Sequence, residues 1–278
     1  MKPARFEYEC PSDIAAAIAL VELSDRVVKF IAGGQSLGPM LNLRLAQPDM
    51  LVDLTGIAEL KQVEETAGSL SIGACVTHAD IEDGRVPDVT RGLLRSVARG
   101  IAYRAVRNRG TIGGSVAHAD PSADWIACLA VLGANVLVRG PSGRRAAPIE
   151  EFVLGVFETT LRPGELVEGV TVPRLSADAR WGFYKVCRKT GEFAQAIGAV
   201  LFDPARSLCR AVIGAIESRP VVFACARELF RGRPEAGLAA SFDQQVARQA
   251  LTAAGLSDAI GQQTHVVALR RAIEQASS

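Results

Sequence analysis

The sequence Ala-Gly-Gly-Gln-Ser at residues 32–36 follows an apolar run at 27–31, and Arg-Gly-Thr-Ile-Gly-Gly-Ser occupies residues 109–115. A glycine pair lacks Cβ atoms, so the main chain can turn tightly and approach a ligand closely. Neighbouring hydroxyl groups and freed backbone N–H groups can then donate to an oxyanion. Either pair alone could be a plain turn, and neither has P-loop or Rossmann spacing. The two together predict two hairpin-like bends of main chain that grip the diphosphate of a dinucleotide cofactor from both sides.

The composition is that of an ordinary globular protein, with 278 residues of which 49% are apolar and 22% are charged. A net charge of +1 and an aromatic content of 5% argue against nucleic-acid or membrane partners held by charge or base stacking. The six cysteines lack zinc or iron–sulfur spacing, which predicts free thiols in a reducing compartment. Neither a signal peptide nor a membrane-spanning run is recognisable, so we expect a cytoplasmic protein without a metal of its own.

Hydrophobic patterning divides the chain into three parts. The first lobe, about residues 1–56, contains a helix capped at Ser12-Asp13 and two short strands. The second lobe, residues 57–175, contains hairpins and helices and ends with a strand. A polar linker leads to residues 178–278, where a run of strands followed by helices indicates an α+β fold. The strands predicted there are 182–188, 194–202 and 208–216, and the predicted helices lie near 221–231, 242–254 and 265–276.

Several isolated side chains have more than one interpretation. Asp120 and Asp124 flank a helix start, where a carboxylate complements the helix dipole, although Asp124 could also accept from sugar hydroxyls of a ligand. His78 and His118 stand alone in the sequence and are interpreted as structural histidines. The basic stretch 104–109 could form a solvated face, an internal ion-pair set or a docking patch. No catalytic triad, metal triad or carboxylate pair is recognisable, which argues against hydrolytic chemistry.

Two longer motifs surround the glycine pairs. The first is Ala-Gly-Gly-Gln-Ser-Leu-x-Pro-Met-x-x-x-Arg-Leu at residues 32–45, and the second is Arg-Asn-Arg-Gly-Thr-Ile-Gly-Gly-Ser-x-Ala-His-Ala-Asp-Pro-x-x-Asp at residues 107–124. Together they resemble the FAD-binding medium subunit of the molybdenum hydroxylase family, which includes carbon monoxide dehydrogenase and xanthine dehydrogenase. The resemblance covers nearly the whole chain. It implies a PCMH-type FAD-binding fold of two lobes over residues 1–175, followed by a C-terminal α+β domain with a three-stranded antiparallel sheet and helices over 178–278.

The resemblance also implies which residues hold FAD. Residues 32–37 would wrap the diphosphate with backbone N–H groups, and residues 111–115 would close on its other side. Asp124 would bind the polar chain of the cofactor. Phe193, where some relatives carry tyrosine, would lie beside the isoalloxazine without a hydroxyl group. The expected cofactor contacts are Lys29, Ile31, Ala32, Gly33, Gly34, Gln35, Ser36, Leu37, Ile101, Thr111, Ile112, Gly113, Gly114, Ser115, Asp124, Val167, Lys185 and Phe193.

Finally, the resemblance implies an oxidoreductase subunit that works with partners. In the family, a large subunit hydroxylates substrate at a molybdopterin cofactor, and a small subunit carries 2Fe–2S clusters. The medium subunit takes the electrons at FAD and delivers them to an external acceptor, which the sequence leaves open. We therefore expect an iron–sulfur small subunit and a molybdopterin large subunit as partners, in a dimer of heterotrimers. The alternatives are a stand-alone flavin reductase of the same fold, or a non-catalytic assembly subunit that has lost the cofactor.

Overall fold

The structure, a computed structural model, describes residues 2–230 and 238–277. It confirms the predicted α+β class, because helices pack on sheets of two, three, four and five strands in this part of the chain. Within the same residues, none of the helices is both long and apolar enough to cross a membrane.

A small parallel sheet forms the first lobe. Its elements are β1 (Glu7–Glu9), α1 (Ile14–Glu22), β2 (Val28–Ile31), α2 (Leu37–Asn42) and β3 (Met50–Asp53). The strand order is β1-β3-β2, which leaves β2 at an edge. Asp13 begins α1 as predicted, because its carboxylate accepts from the Ala16 N–H at 2.8 Å. The first glycine motif therefore leaves the end of an edge strand and leads directly into α2.

A five-stranded antiparallel sheet forms the second lobe. Its elements are β4 (Val63–Glu65), β5 (Ser69–Gly73), α3 (His78–Glu82), α4 (Leu93–Gly100), α5 (Arg104–Arg107), α6 (Ile112–His118), α7 (Asp124–Leu132), β6 (Asn135–Gly140), β7 (Gly143–Pro148), α8 (Ile149–Phe152), β8 (Val153–Gly155), β9 (Glu158–Thr159) and β10 (Leu166–Pro173). The strand order is β4-β5-β10-β6-β7, with β8 and β9 forming a separate hairpin. The second glycine motif is thus the first turn of α6, and the sequence prediction of a hairpin-like bend there was wrong.

The C-terminal part contains one antiparallel sheet covered by helices. Its elements are β11 (Arg180–Val186), β12 (Ala196–Asp203), β13 (Leu208–Gly214), β14 (Val221–Phe223), α9 (Leu238–Ser241), α10 (Gln244–Ala253) and α11 (Ala259–Ser277). The strand order is β11-β12-β13-β14. Helix α11 lies directly on β11 and β12, and a Cβ atom at Gly182 would come within 2.6 Å of the Ala272 carbonyl carbon.

The sheet has a fourth strand where the sequence predicts a helix near 221–231. The β-branched pair Val221-Val222 and the following Phe223 bond to β13 instead, with Val222 opposite Val212. A 3-10 helix at Ala226–Phe230 follows, and residue 231 lies outside the described residues. A short apolar run of this kind does not distinguish strand from helix by its pattern alone.

Helix α7 connects the second lobe with the C-terminal sheet. All nine of its residues are buried, and it packs against both β12 and β13. Arg210 of β13 donates to the Ala130 carbonyl oxygen at 3.0 Å. We propose that the domain boundary lies between residues 175 and 178, as the sequence indicates, with α7 as the main contact across it. Residues 1, 231–237 and 278 of these two domains are not among those described.

Candidate cofactor-binding site

A cavity of about 650 Å³ lies between the first lobe, helix α6 and the start of α7. Sixteen of the eighteen residues that the sequence predicts as cofactor contacts line this one cavity. The two that do not are Ile112, which is fully buried in the core, and Lys185, which lies behind Asp124. The structure therefore brings together segments that are more than 150 residues apart in the sequence, from Lys29 to Phe193.

The first glycine motif presents unused hydrogen-bond donors. From Gly33 to Leu37, five successive backbone N–H groups have no acceptor within the described residues. The turn is held by its own carbonyl groups: Gln35 Nε2 donates to the Gly33 oxygen at 2.9 Å, and the Gly38 N–H donates to the Gly34 oxygen at 2.8 Å. Gly34 has a φ of +69°, a left-handed conformation that favours glycine. A row of free N–H groups of this kind is suited to a phosphate group.

Most N–H groups of the second motif already have acceptors, and the Thr111 N–H is the exception within the described residues. Those of Ile112 and Gly113 donate to the carbonyl oxygens of Val76 and Ala74, at 3.1 and 3.0 Å. The Gly114 N–H donates to Thr111 Oγ1 at 3.1 Å, so Thr111 caps α6. The expectation that both motifs offer a row of free backbone donors is therefore wrong for the second one, which leaves only the Thr111 N–H without an acceptor among the described residues. Helix α6 forms a wall of the cavity, and Ser115 adds a hydroxyl group to it.

The glycines bring parts of the protein itself into contact. A Cβ atom at Gly33 would lie 2.8 Å from the Gly110 Cα and closer still to the Arg109 carbonyl oxygen. A Cβ atom at Gly113 would lie 2.6 Å from the Ala74 Cα. These distances are shorter than real Cβ atoms tolerate, so the first motif fits against the second only because residue 33 is glycine. The geometry of the cavity depends on this contact.

A buried ion pair lies at the floor of the cavity. Lys185 Nζ is 3.0 Å from Asp124 Oδ2, and the two side chains are only 11% and 9% exposed. Lys185 also donates to the Gly100 carbonyl oxygen at 2.9 Å, next to Ile101. Burial raises the pKa of Asp124, while the Lys185 ammonium opposes that shift. Lys185 thus fixes a carboxylate that faces the cavity and a turn that lines it.

The basic stretch 104–109 is largely an internal ion-pair set. Arg107 is paired with Glu82, with its Nε at 2.8 Å from Oε2, and it donates to the carbonyl oxygens of Ile101 and Ala102 at 2.9 and 3.0 Å. Arg104 pairs with Asp83 at 2.7 Å. The sequence left a solvated face, an internal ion-pair set and a docking patch open for this stretch. Arg104 and Arg107 belong to an ion-pair set. Arg107 supports the turn that forms one edge of the cavity.

The loop at residues 188–193 closes the rim beside that turn. A Cβ atom at Gly191 would lie 2.6 Å from the Ala102 carbonyl oxygen, and Gly191 has a φ of +89°. Phe193 follows and is 70% exposed, although it lines the cavity. An exposed aromatic ring at the mouth of a cavity is available to cover a planar ligand.

His78 is among the cavity residues that sequence reasoning missed. The residue is only 5% exposed and lines the cavity beside Gly110. Trp125 Nε1 donates to His78 Nδ1 at 3.1 Å. Burial, helped by the Arg107 charge, lowers the pKa of His78 from 6.5 to about 4. No sequence signal links His78 to Trp125, because the two residues are 47 positions apart.

Acidification is expected to destabilise the protein through His78. Because the folded-state pKa of about 4 lies below the ordinary 6.5, the unfolded chain binds more protons between these values. This contribution to the free energy of unfolding is complete above pH 6.5 and is lost as the pH falls towards 4. It amounts to about 3 kcal/mol at most. Urea unfolding at pH 7 and pH 4.5 measures it, and His78→Gln should show a smaller loss; an equal loss in both proteins would contradict it.

Comparison with known proteins agrees with this geometry. A family model described as the FAD binding domain in molybdopterin dehydrogenase matches residues 4–175. The chain is 38% identical over 201 residues to the carbon monoxide dehydrogenase medium chain of Hydrogenophaga pseudoflava, covering 72% of this chain and 70% of the relative. It is 32% identical over 238 residues to the caffeine dehydrogenase subunit beta of Pseudomonas sp. strain CBB1, covering 84% and 81%.

Solved structures are similar over nearly the full length. A chain of quinoline 2-oxidoreductase from Pseudomonas putida 86 aligns with a TM-score of 0.85 at 31% identity, covering 100% of this chain and 98% of the other. A chain of carbon monoxide dehydrogenase from Hydrogenophaga pseudoflava, in a form that lacks the Mo-pyranopterin moiety of the molybdenum cofactor, aligns with a TM-score of 0.84 at 32% identity, covering 99% and 98%. These alignments confirm the fold that the two motifs imply.

Proposed function

This chain belongs to the FAD-binding medium subunits of molybdenum hydroxylases, and from that membership we propose that it carries electrons within such a complex. In this proposal FAD bound in the cavity receives electrons from the 2Fe–2S clusters of a small partner subunit. It then passes them to an external acceptor. Substrate is oxidised at the molybdopterin cofactor of a large partner subunit.

The row of free N–H groups at Gly33–Leu37 is the observation that carries the proposal. The diphosphate of FAD is an anion with several acceptor oxygens, and hydrogen bonds to a charged acceptor are roughly twice as strong as neutral ones. Helix α6, held against this motif through Gly33, closes the opposite side of the cavity. The arrangement supports a diphosphate held mainly by the first motif and covered by the second.

We assign the remaining roles from the position of each side chain in the cavity. Asp124, fixed by Lys185, accepts hydrogen bonds from the hydroxyl groups of the ribityl chain. Ile101 and Phe193, at the rim, contact the isoalloxazine and limit its access to water. When bound, FAD supplies the redox chemistry, and the chain binds it and orients it. None of these roles requires a general acid or base from this chain.

The partners are proposed from the names of the relatives. Those names include a medium chain of carbon monoxide dehydrogenase and a subunit beta of caffeine dehydrogenase, which indicates complexes of several chains. In the part of this chain that the structure describes, no three histidine, cysteine or acidic side chains are grouped as a metal site. The iron–sulfur clusters and the molybdenum are therefore assigned to the partners, in a dimer of heterotrimers.

The proposal is tested by isolating the full chain, through an affinity tag, from the cells that naturally produce it. We expect the chain to be isolated with two further polypeptides and with FAD, iron and molybdenum. After the complex is reduced with dithionite, a tetrazolium dye is added as electron acceptor. The iron–sulfur clusters should then reoxidise rapidly, which is followed by the recovery of their absorbance. The same complex with a Gly33→Ala chain, depleted of FAD, should reoxidise slowly.

Two results would replace the proposal with one of its alternatives. A yellow chain that reduces an acceptor on its own, without iron or molybdenum, would be a stand-alone flavin reductase. A complex whose reoxidation rate is unchanged by loss of FAD would make this chain an assembly subunit.

A further inference from the structure

His78 is held rigidly at the start of α3. A capping box fixes this helix, because Thr77 Oγ1 accepts from the Asp80 N–H at 3.1 Å and Asp80 Oδ2 accepts from the Thr77 N–H at 3.0 Å. The His78 N–H donates to the Gly110 carbonyl oxygen at 2.9 Å. The imidazole packs on Gly110, where a Cβ atom would lie 2.8 Å from Nε2. Residue 110 must therefore be glycine for the ring to occupy this place.

Trp125 determines which ring nitrogen of His78 carries the proton. An indole N–H can only donate, so His78 Nδ1, which receives it at 3.1 Å, is the unprotonated nitrogen. In the neutral ring the proton must then be on Nε2. Trp125 itself is completely buried in α7, so its indole cannot turn away. The tautomer is thus set by a side chain that lies outside the cavity lining.

The Nε2–H of His78 makes no hydrogen bond within the described residues, and Nε2 is not among their buried unpartnered atoms, so it is open to the cavity. His78 lines the cavity, and its neighbour Gly110 in turn contacts Gly33 of the first motif. The acceptor for this N–H is therefore supplied by whatever fills the cavity, water or a ligand.

We propose that His78 donates from Nε2 to an acceptor oxygen of bound FAD, and that Trp125 is a positioning residue that fixes the donating tautomer. This inference rests on the proposed FAD binding and adds a donor outside both glycine motifs. Because the ring is uncharged at neutral pH, it supplies a hydrogen bond without adding a second positive charge beside Arg107.

Paired substitutions test the donor. In the full chain, His78→Gln keeps an N–H near the position of Nε2, whereas His78→Met fills a similar volume without any donor. We expect His78→Met to raise the FAD dissociation constant, measured by flavin fluorescence, by about 3–10-fold for a neutral oxygen and about 10–100-fold for a phosphate oxygen. His78→Gln should remain within about 3-fold of the wild type. Riboflavin, which lacks the diphosphate, shows which oxygen accepts the hydrogen bond. His78→Met should weaken riboflavin binding only if the acceptor oxygen is on the flavin or the ribityl chain.

Nitrogen-15 NMR of the imidazoles distinguishes a ligand-binding histidine from a structural one. The signals of a merely structural histidine would not change when FAD is added. The chain has three histidines, so the His78 signals can be assigned with single variants. We expect Nδ1 to be unprotonated and Nε2 protonated without FAD, and the Nε2–H signal to shift when FAD is added. In Trp125→Phe the preference for this tautomer should be lost.

The outcomes separate this inference from the proposed function. If the wild type binds no FAD, the proposed function fails. If the wild type binds FAD, yet His78→Met binds it equally well or the Nε2–H signal is unchanged by FAD, only the role of His78 is overturned. Should His78→Met not fold, the NMR measurement on the wild type decides.

Discussion

Replacing Gly33 by alanine is expected to weaken FAD binding by a factor of ~100 or more, or about 3 kcal/mol. The added Cβ would lie 2.8 Å from the Gly110 Cα and overlap the Arg109 carbonyl oxygen, and both are backbone atoms that no side-chain rotation can clear. The first motif would have to move away from the second. The five free N–H groups at Gly33–Leu37 would then no longer point together at one diphosphate.

Gly38→Ala is the matched control for this prediction. Gly38 lies in α2, five residues further on, and a Cβ atom there would meet nothing within 4 Å. Alanine favours the helix, but residue 38 precedes Pro39, where a Cβ disfavours helical backbone; this variant should therefore change stability by less than about 1 kcal/mol and bind FAD like the wild type. Titration of each purified full chain with FAD compares them. Wild-type affinity in Gly33→Ala would show that the contact between the motifs does not matter for the cofactor.

Lys185→Met is expected to lower the free energy of unfolding by about 3–5 kcal/mol, the usual cost of leaving one partner of a buried ion pair alone. The variant removes the ammonium at 3.0 Å from Asp124 and the donor to the Gly100 oxygen. The Asp124 carboxylate would remain buried without its charged partner. FAD binding should weaken as well, because both the carboxylate and the turn before Ile101 lose their support.

The pH dependence of Lys185→Met gives this prediction a specific sign. Burial already raises the pKa of Asp124 above 3.8, and without the ammonium it should rise further. A carboxyl group with a raised folded-state pKa stabilises the protein at low pH and loses that stability as the pH rises through the new pKa. Lys185→Met should therefore be closer to the wild type at pH 5 than at pH 8 in urea unfolding.

The double variant Asp124→Leu with Lys185→Met is the control for the charge itself. Replacing both members of a buried pair by apolar side chains is often neutral or stabilising. We expect it to recover most of the lost stability but not the affinity for FAD, since Asp124 is absent. A double variant as unstable as Lys185→Met would assign the effect to packing or to the Gly100 contact instead.

The positions of the main elements and motifs could be read from the sequence because their signals are local. Asp13 at the start of α1 and the apolar run of β2 are examples. The family resemblance then placed residues as distant as Lys29 and Phe193 in a common site, and both line the cavity. Local patterns carry this information because capping and hydrophobic periodicity depend on neighbours only a few residues away.

What the sequence could not give depends on partners far along the chain. The second motif looks as free as the first, yet the N–H groups of Ile112 and Gly113 donate to Val76 and Ala74, almost 40 residues earlier. His78 looks like a structural histidine until Trp125 fixes its tautomer. The strand Val221–Phe223 needed β13 beside it to become a strand. Tertiary hydrogen bonds decided each of these cases, and local propensity is only a weak guide to them.

A crystal structure of the full chain grown with FAD would show where the diphosphate is bound. We predict that diphosphate oxygens lie within hydrogen-bonding distance of the backbone nitrogens of Gly33–Leu37, with α6 covering the opposite side. This prediction would be contradicted by a diphosphate bound elsewhere on the chain, or by FAD in the cavity with those N–H groups turned towards protein atoms.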